Sequence, residues 1–361
     1  MFCVINKLLI MISLTLTFKG GSFMTISELR ESIGTLPRVQ LGHLPTPLEF
    51  CPRLSDAIGG PKIYIKRDDC TGLAFGGNKT RQLEFTIAQG LEQGADVLIG
   101  GAGSQSNHCR QLSAAAAKLG VDCALALVKD HKSGATQGNL LLDNLLGASV
   151  EMVDVETQEL LDDAKDELMN RLKREGRNPF IVMQKANRPY GAMGYALCMA
   201  EILEQCQALG EKPTTILLSS GSCTQPGLIF GKKMLGVDTR IVGIAPIVWS
   251  YDIQVAFIEV LNKMSDILGV DLKFERSDIE NSNAYVGKQG YGYYTSEGNA
   301  AVRLMAQKEG ILLETNYTGK ALSGLIDLVK KGDIGSDETV VFVHTGGTPA
   351  LFAYAEELLE G

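Results

Sequence analysis

The sequence has one tryptophan, four histidines and an aromatic fraction of only 6%. That leaves no stacking platform for single-stranded nucleic acid. A basic block is also missing: lysines and arginines are scattered, the net charge is −8 and the pI is near 5.2, so the electrostatic footprint of a nucleic-acid partner is absent. None of the eight cysteines (Cys3, Cys51, Cys70, Cys109, Cys123, Cys198, Cys206 and Cys223) forms a Cys-x-x-Cys pair, and no His/Cys cluster has zinc spacing. In a chain of this length they read as reduced, mostly buried thiols, with no metal expected. The one long apolar run, residues 8–18, is too short for a comfortable membrane span.

That run follows Lys7 and precedes Gly20, Gly21 and Ser22, the pattern of a signal peptide. The alternative is a natural start at Met24, just ahead of a helix signal beginning at Ser27 (SELRESIG). Residues 1–23 are therefore set aside as a leader or a mis-assigned start. Because the other seven cysteines show no disulfide pattern, the Met24 reading and a cytoplasmic location are preferred over a secreted or periplasmic one.

What is present is alternation. Strand-like runs are predicted over 62–66, 96–100, 123–128, 149–153, 180–183, 215–219, 240–245 and 339–343. Amphipathic helical patterns fill most gaps, over 79–93, 106–119, 137–146, 156–174, 191–208, 225–235, 251–268, 296–308, 319–330 and 348–359. Continuous apolar strands alternating with helices imply an α/β fold with a parallel sheet covered on both faces. The length of 361 residues suits two domains. Such folds bind ligands at the carboxyl ends of their strands, so the loops that open helices carry the functional signal.

The stretch Thr71 to Phe85 (TGLAFGGNKTRQLEF) is the centre of that signal. Gly76 and Gly77 allow close backbone approach or positive φ, and Lys79 then opens a helical pattern. The positive end of a helix dipole disfavours an ammonium, which leaves an amine suited to Schiff-base chemistry. A plain surface lysine at a helix start is the alternative.

Three further strand-end loops matter. After 96–100, Ser104, Ser106 and Asn107 open a helix and suit a carboxylate, although Ser106 also fits a simple N-cap. This loop does not complete G-x-G-x-x-G, so a dinucleotide is not indicated. His108 and Cys109 are adjacent and point apart on a helix, which weakens a nucleophile–base pair. After 215–219, Ser220, Gly221, Ser222, Cys223 and Thr224 precede Pro226 and form either a phosphate cup or a tight turn, without the lysine of a P-loop. After 339–343, Thr348 reads as N-cap and Pro349 as first helical residue. Thr345 there is a strand-end hydroxyl, and His344 is a core histidine rather than a base. Tyr291 and Tyr317 sit beside glycines, as phenols aimed at a substrate or as a hydrophobic lid. A lysine, an anion loop, a phosphate cup and a strand-end hydroxyl form the set that a phosphorylated aldehyde such as pyridoxal phosphate uses.

Taken together, Leu44-Pro45-Thr46-Pro47-Leu48, Ile65-Lys66-Arg67-Asp68-Asp69, Gly76-Gly77-Asn78-Lys79-Thr80-Arg81, Gln105-Ser106-Asn107-His108 and His344-Thr345-Gly346-Gly347 carry a resemblance. From about Leu41 onward the chain resembles the D-cysteine desulfhydrase and 1-aminocyclopropane-1-carboxylate deaminase family. The resemblance implies a two-domain, three-layer, tryptophan-synthase-β-like fold (pyridoxal-phosphate fold type II). Its large domain would be 24–78 plus 185–361, and its small domain 79–184. It implies pyridoxal 5′-phosphate as cofactor and Lys79 as the Schiff-base lysine. Asn78, Asn107, Ser220, Gly221, Ser222, Cys223, Thr224 and Thr345 would hold the cofactor. Ser106, Asn107, His108 and Thr318 would meet the substrate, with Ser106, Tyr291 and Tyr317 catalytic beside Lys79. A homodimer acting on a small amino acid, without nucleic acid or membrane, completes the implication.

The resemblance also separates branches. The deaminases carry Tyr-Glu-Gly-Lys where this chain has Tyr317-Thr318-Gly319-Lys320, as desulfhydrases do. Thr345 would then meet the pyridine nitrogen as a neutral hydroxyl, a weaker electron sink that suits β-elimination. The implied activity is α,β-elimination, D-cysteine to pyruvate, sulfide and ammonia. The alternatives are 1-aminocyclopropane-1-carboxylate deaminase, L-cysteate sulfo-lyase and a non-catalytic cofactor-binding relative. Two departures stand out: Cys223 in a shortened phosphate loop, and Gln184-Lys185-Ala186-Asn187-Arg188 in place of a glycine-rich stretch. The second suggests a substrate with another anionic group, such as cysteate.

Overall fold

A computed structural model describes residues 23–359, so all but the last residue of the predicted leader lies outside the described residues. The strand-like runs pair into two sheets. In the larger, β1 (Leu48–Phe50), β2 (Lys62–Lys66), β10 (Thr339–Val343), β7 (Thr215–Ser219), β8 (Arg240–Ile244) and β9 (Glu280–Ser282) lie in that order. Only β1 runs antiparallel to its neighbour. In the smaller, β5 (Ser149–Val153), β4 (Asp122–Val128), β3 (Val97–Gly103) and β6 (Pro179–Ile181) are all parallel.

Alternation within each strand feeds two faces. Val341 and Val343 of β10, with Ile216 and Leu218 of β7, join one core. Val340, Phe342 and Leu217 join the other. Period-two alternation with both faces apolar is what a sheet buried on both sides requires. Leu98, Leu125 and Leu127 anchor a separate core on the smaller sheet.

The registers bring the functional loops to one level. Val343 pairs with both Lys66 and Leu218, and Ser219 with Ile244. The chain therefore leaves β2, β10, β7 and β8 at adjacent points. Behind them, the helix Lys79–Glu92 packs on the helix Arg188–Ala208, where a Cβ on Gly194 would lie 2.4 Å from the Arg81 carbonyl oxygen. Only glycine permits that approach.

Every predicted strand and most predicted helices are present, with ends shifted by a few residues. The short strands β1 and β9 and the helix Pro52–Ile58 were not foreseen; Pro52 starts that helix rather than breaking it. The predicted helix over 348–359 is instead two pieces, Ala350–Ala353 and Ala355–Leu359. Pro349, not Thr348, is the N-cap, and the break falls at Tyr354, whose hydroxyl donates to the Gly292 carbonyl at 2.7 Å. The seven cysteines among the described residues are free, and all but Cys70 are buried. Among the described residues no helix is long and apolar enough to cross a membrane.

Asp143 is a buried carboxyl without a full set of partners. Asp143 accepts from the Ser113 hydroxyl at 3.0 Å through Oδ1, while Oδ2 has no partner. Burial raises its pKa from 3.8 to about 7, against opposing contributions from Ser113 and Arg110. Between those values the folded chain keeps a proton that the unfolded chain releases, so stability falls as pH rises through that window. Asp143→Asn is therefore expected to be more stable than the parent by ~1–3 kcal/mol at pH 8 and about equal at pH 4.5 in urea unfolding. A difference independent of pH would contradict this.

Candidate active site

The strand-end loops enclose a crevice of about 540 Å³. Lys79 lies in it, at the first position of its helix. The four residues Ala74, Phe75, Gly76 and Gly77 all have positive φ (42°, 68°, 64° and 128°), a sequence of sparsely populated conformations that surrounding structure must hold. Arg110 does so from the small sheet's side, its guanidinium donating to the carbonyls of Ala74 and Gly76. Gly77 N–H donates to Thr71 Oγ1 at 2.8 Å and to the Asp68 carbonyl at 2.9 Å. Gln111 fixes Thr80, just past the lysine, accepting from its N–H at 2.7 Å and from its hydroxyl at 2.8 Å.

The half-buried Lys79 amine makes one long hydrogen bond, to Gln82 Oε1 at 3.4 Å. Its pKa is lowered, first by burial; Arg188 also lowers it, and Cys223 acts in the opposite direction. Loss of hydration is therefore the main cause, where the sequence pointed to the helix dipole. Asn78 and Gln82 both donate to Thr224 Oγ1 at 3.0 Å. With its oxygen accepting twice, the Thr224 hydroxyl has its own proton left to donate elsewhere.

The 220–224 loop opens the helix Thr224–Leu235. Gly221, Ser222 and Thr224 line the crevice. Ser220 and Cys223 are buried and do not line it; the Ser220 hydroxyl has no partner. The Cys223 thiol donates to the Arg188 carbonyl at 3.3 Å. Over Gly221 lies the ring of Trp249, whose Nε1 is also buried without a partner.

On the opposite wall, Ser106 caps the helix Asn107–Leu119, accepting from Cys109 N–H at 3.2 Å. It is thus an N-cap and a crevice residue at once. Asn107 accepts from Asn139 Nδ2 at 2.9 Å through Oδ1, which leaves its own amide N–H groups for the crevice. His108 lines the crevice with Nδ1 unpartnered, and burial together with the Lys79 charge lowers its pKa to about 3, so it is neutral. Thr345 closes the floor at the end of β10. His344 is a satisfied core histidine, its Nε2 3.0 Å from the Leu312 carbonyl and its Nδ1 accepting from Gly346 N–H at 3.2 Å.

Tyr291 and Tyr317 both line the crevice and share a phenol–phenol hydrogen bond, their rings edge-on at 6.0 Å. Burial raises both phenols, so both stay protonated at neutral pH. Thr318 does not join them. It is fully buried as the first residue of its helix and turned back onto the preceding turn, where its hydroxyl accepts from Glu314 N–H at 2.9 Å. Glu314 holds that turn, its carboxyl accepting from the N–H groups of Asn316, Tyr317 and Thr318 at 2.7–2.8 Å.

Sequence reasoning missed Gln82, Gln111, Glu314 and Trp249. Gln82 was legible as the residue three after Lys79, on the same helix face. Trp249 lies in the loop after β8, a fourth strand end of the same sheet. Gln111 and Glu314 carry no local signal. Among the described residues no His/Cys/Asp/Glu group could hold a metal ion. Chemically, the crevice offers a poorly hydrated amine, a cup of unpartnered donors for a multivalent anion, and a second helix start for a carboxylate.

Residues 39–346 match the family described as "Pyridoxal-phosphate dependent enzyme". The chain is 39% identical over 332 residues to a D-cysteine desulfhydrase of Klebsiella pneumoniae, covering 91% of this chain and 99% of that protein. It is 40% identical over 335 residues to a D-cysteine desulfhydrase of Serratia proteamaculans, covering 91% and 98%. A crystal structure described as an ACC deaminase homologue superposes with a TM-score of 0.84 at 35% identity, covering 92% and 98%.

A Cβ on Gly76 would lie 2.0 Å from the Asp69 carbonyl oxygen, at a φ that side chains avoid. Gly76→Ala is expected to lose ~2–4 kcal/mol in urea unfolding and to displace Lys79. An unfolding midpoint equal to the parent's would contradict the constraint placed on this loop.

Proposed function

This chain belongs to the pyridoxal-phosphate dependent enzymes, and on that premise we propose that it is a carbon–sulfur lyase converting D-cysteine and water to pyruvate, hydrogen sulfide and ammonia. The observation that carries the reading is the Lys79 amine, short of hydrogen-bond partners in the crevice between two helix starts. The substrate is inferred from the D-cysteine desulfhydrases that it resembles at 39–40% identity.

The residues present suit the cofactor. Ser220 Oγ and Trp249 Nε1 are buried donors without partners, and the spare proton of Thr224 joins the N–H groups of residues 221–224. A phosphate gives these donors acceptors. When bound, pyridoxal phosphate supplies an aldehyde for amine exchange and a ring that accepts the electrons released at Cα. Thr345, at the end of β10, offers the ring nitrogen a neutral hydroxyl, and Asn107 offers amide N–H groups to the phenolic oxygen.

The chain's own groups do the rest. Ser106 and the N–H groups at its helix start hold the substrate carboxylate. Lys79, with its lowered pKa, takes the Cα proton as general base. The protonated Tyr291–Tyr317 pair, in the same crevice, would give a departing sulfur its proton. The four-stranded sheet and residues 79–184 make the small domain, and the flanking segments the large one.

Lys79→Ala is expected to abolish turnover, at least about a 10³-fold loss, and to remove the visible absorbance of lysine-bound cofactor. Retention of that band would contradict the assignment. On a panel of both cysteine enantiomers, cysteate and 1-aminocyclopropane-1-carboxylate, pyruvate and sulfide are expected from D-cysteine. Formation of 2-oxobutanoate from the cyclopropane alone would make the chain a deaminase, and no product from any of them a binding protein.

A further inference from the structure

Arg188 begins the long helix Arg188–Ala208 and is half-buried. Its Nε is buried without a partner, and among the described residues no carboxylate pairs with its guanidinium. The neighbouring Lys185 takes Glu259, at 2.7 Å. The groups that feel the Arg188 charge are Lys79, His108, Cys223 and Tyr251. None is an anion at neutral pH: Lys79 is an amine, His108 is neutral, and burial raises both the Cys223 thiol and the Tyr251 phenol. The half-buried guanidinium thus has no counter-ion among the groups its charge reaches, an arrangement that costs energy until an anion arrives.

Where that anion sits follows from the backbone. The Cys223 thiol donates to the Arg188 carbonyl, which fixes the start of this helix against the 220–224 loop. Neither Arg188 nor Cys223 lines the open crevice, so the guanidinium is not in the space a substrate side chain would occupy. The loop itself supplies N–H groups and hydroxyls but no charge. We propose that Arg188, at the helix start tied to the 220–224 loop, is the cation that balances the cofactor's phosphate, in place of the lysine this cup lacks. The inference rests on the cofactor reading above. It differs from the sequence-based expectation that Arg188 selects a second anionic group on the substrate.

The test compares equilibrium binding of pyridoxal 5′-phosphate and of pyridoxal, which lacks the phosphate, to the apoprotein by absorbance. Arg188→Gln is expected to weaken pyridoxal phosphate roughly 10- to 100-fold and leave pyridoxal unchanged, while Arg188→Lys restores most of the loss. Unchanged pyridoxal binding also reports that the variant is folded. The salt dependence of pyridoxal phosphate binding should be shallower in Arg188→Gln than in the parent. Equal affinities for pyridoxal phosphate in Arg188→Gln and parent, or equal losses for both ligands in Arg188→Gln and Arg188→Lys, would overturn the inference while leaving the cofactor reading intact. A parent protein that binds no pyridoxal phosphate would overturn both.

Discussion

Two residues after the crevice lysine, Arg81 is fully buried, and the site depends on the ion cluster around it. Its guanidinium donates to Asp68 at 2.9 Å and to Glu201 at 2.8 Å, and Lys66 meets the same Glu201 at 2.9 Å. Tyr195 and Thr46 complete the shell with hydrogen bonds to Asp68. Burial alone would raise the Asp68 carboxyl, but the Arg81 charge beside it prevails and holds it below the usual carboxylate range. A cluster of this kind gains little over apolar packing, yet removing one partner typically costs about 3–5 kcal/mol. Its value is positional. It ties the end of β2, the lysine helix and the long helix Arg188–Ala208 together, and the Asp68 carbonyl also accepts from Gly77 N–H at 2.9 Å. The four positive-φ residues therefore end at a fixed point, with Lys79 two residues beyond.

The same economy governs the crevice wall. Side chains that would contact ligand are held by neighbours that would not: Gln82 and Asn78 turn the Thr224 hydroxyl, Asn139 orients Asn107, Glu314 sets the turn carrying Tyr317, and Gln111 fixes Thr80. Orphaned donors lie close by, among them Ser220, Trp249 and Arg188. Side chains held by neighbours beside unpartnered donors mark the place where a ligand, and not the protein, completes the hydrogen bonding.

Much of this was legible in the sequence. Continuous apolar runs of five to seven residues identified the central strands because burial on both faces demands them, and the register then places their following loops together. Gly76, Gly77 and Lys79 stood out because few backbones need that pattern. The three-residue strands β1 and β9 carried too little periodicity to register. The break at Tyr354 reflects a hydrogen bond to a residue sixty-two positions away, which no local propensity encodes. For the same reason Thr318, a substrate contact by resemblance, is instead bonded to the turn before its helix: its partner Glu314 is a matter of side-chain geometry, not of motif. The relatives establish the family and its cofactor and carry the inference of the substrate; the individual residue roles are proposed from the geometry described above.

The central claim is a covalent link between the Lys79 amine and the cofactor's aldehyde. Reducing the cofactor-loaded protein with borohydride and mapping the modified peptide by mass spectrometry tests it directly. The account predicts a single phosphopyridoxyl group on Lys79. Modification of another lysine, such as the buried Lys320, or no modification at all, would contradict it.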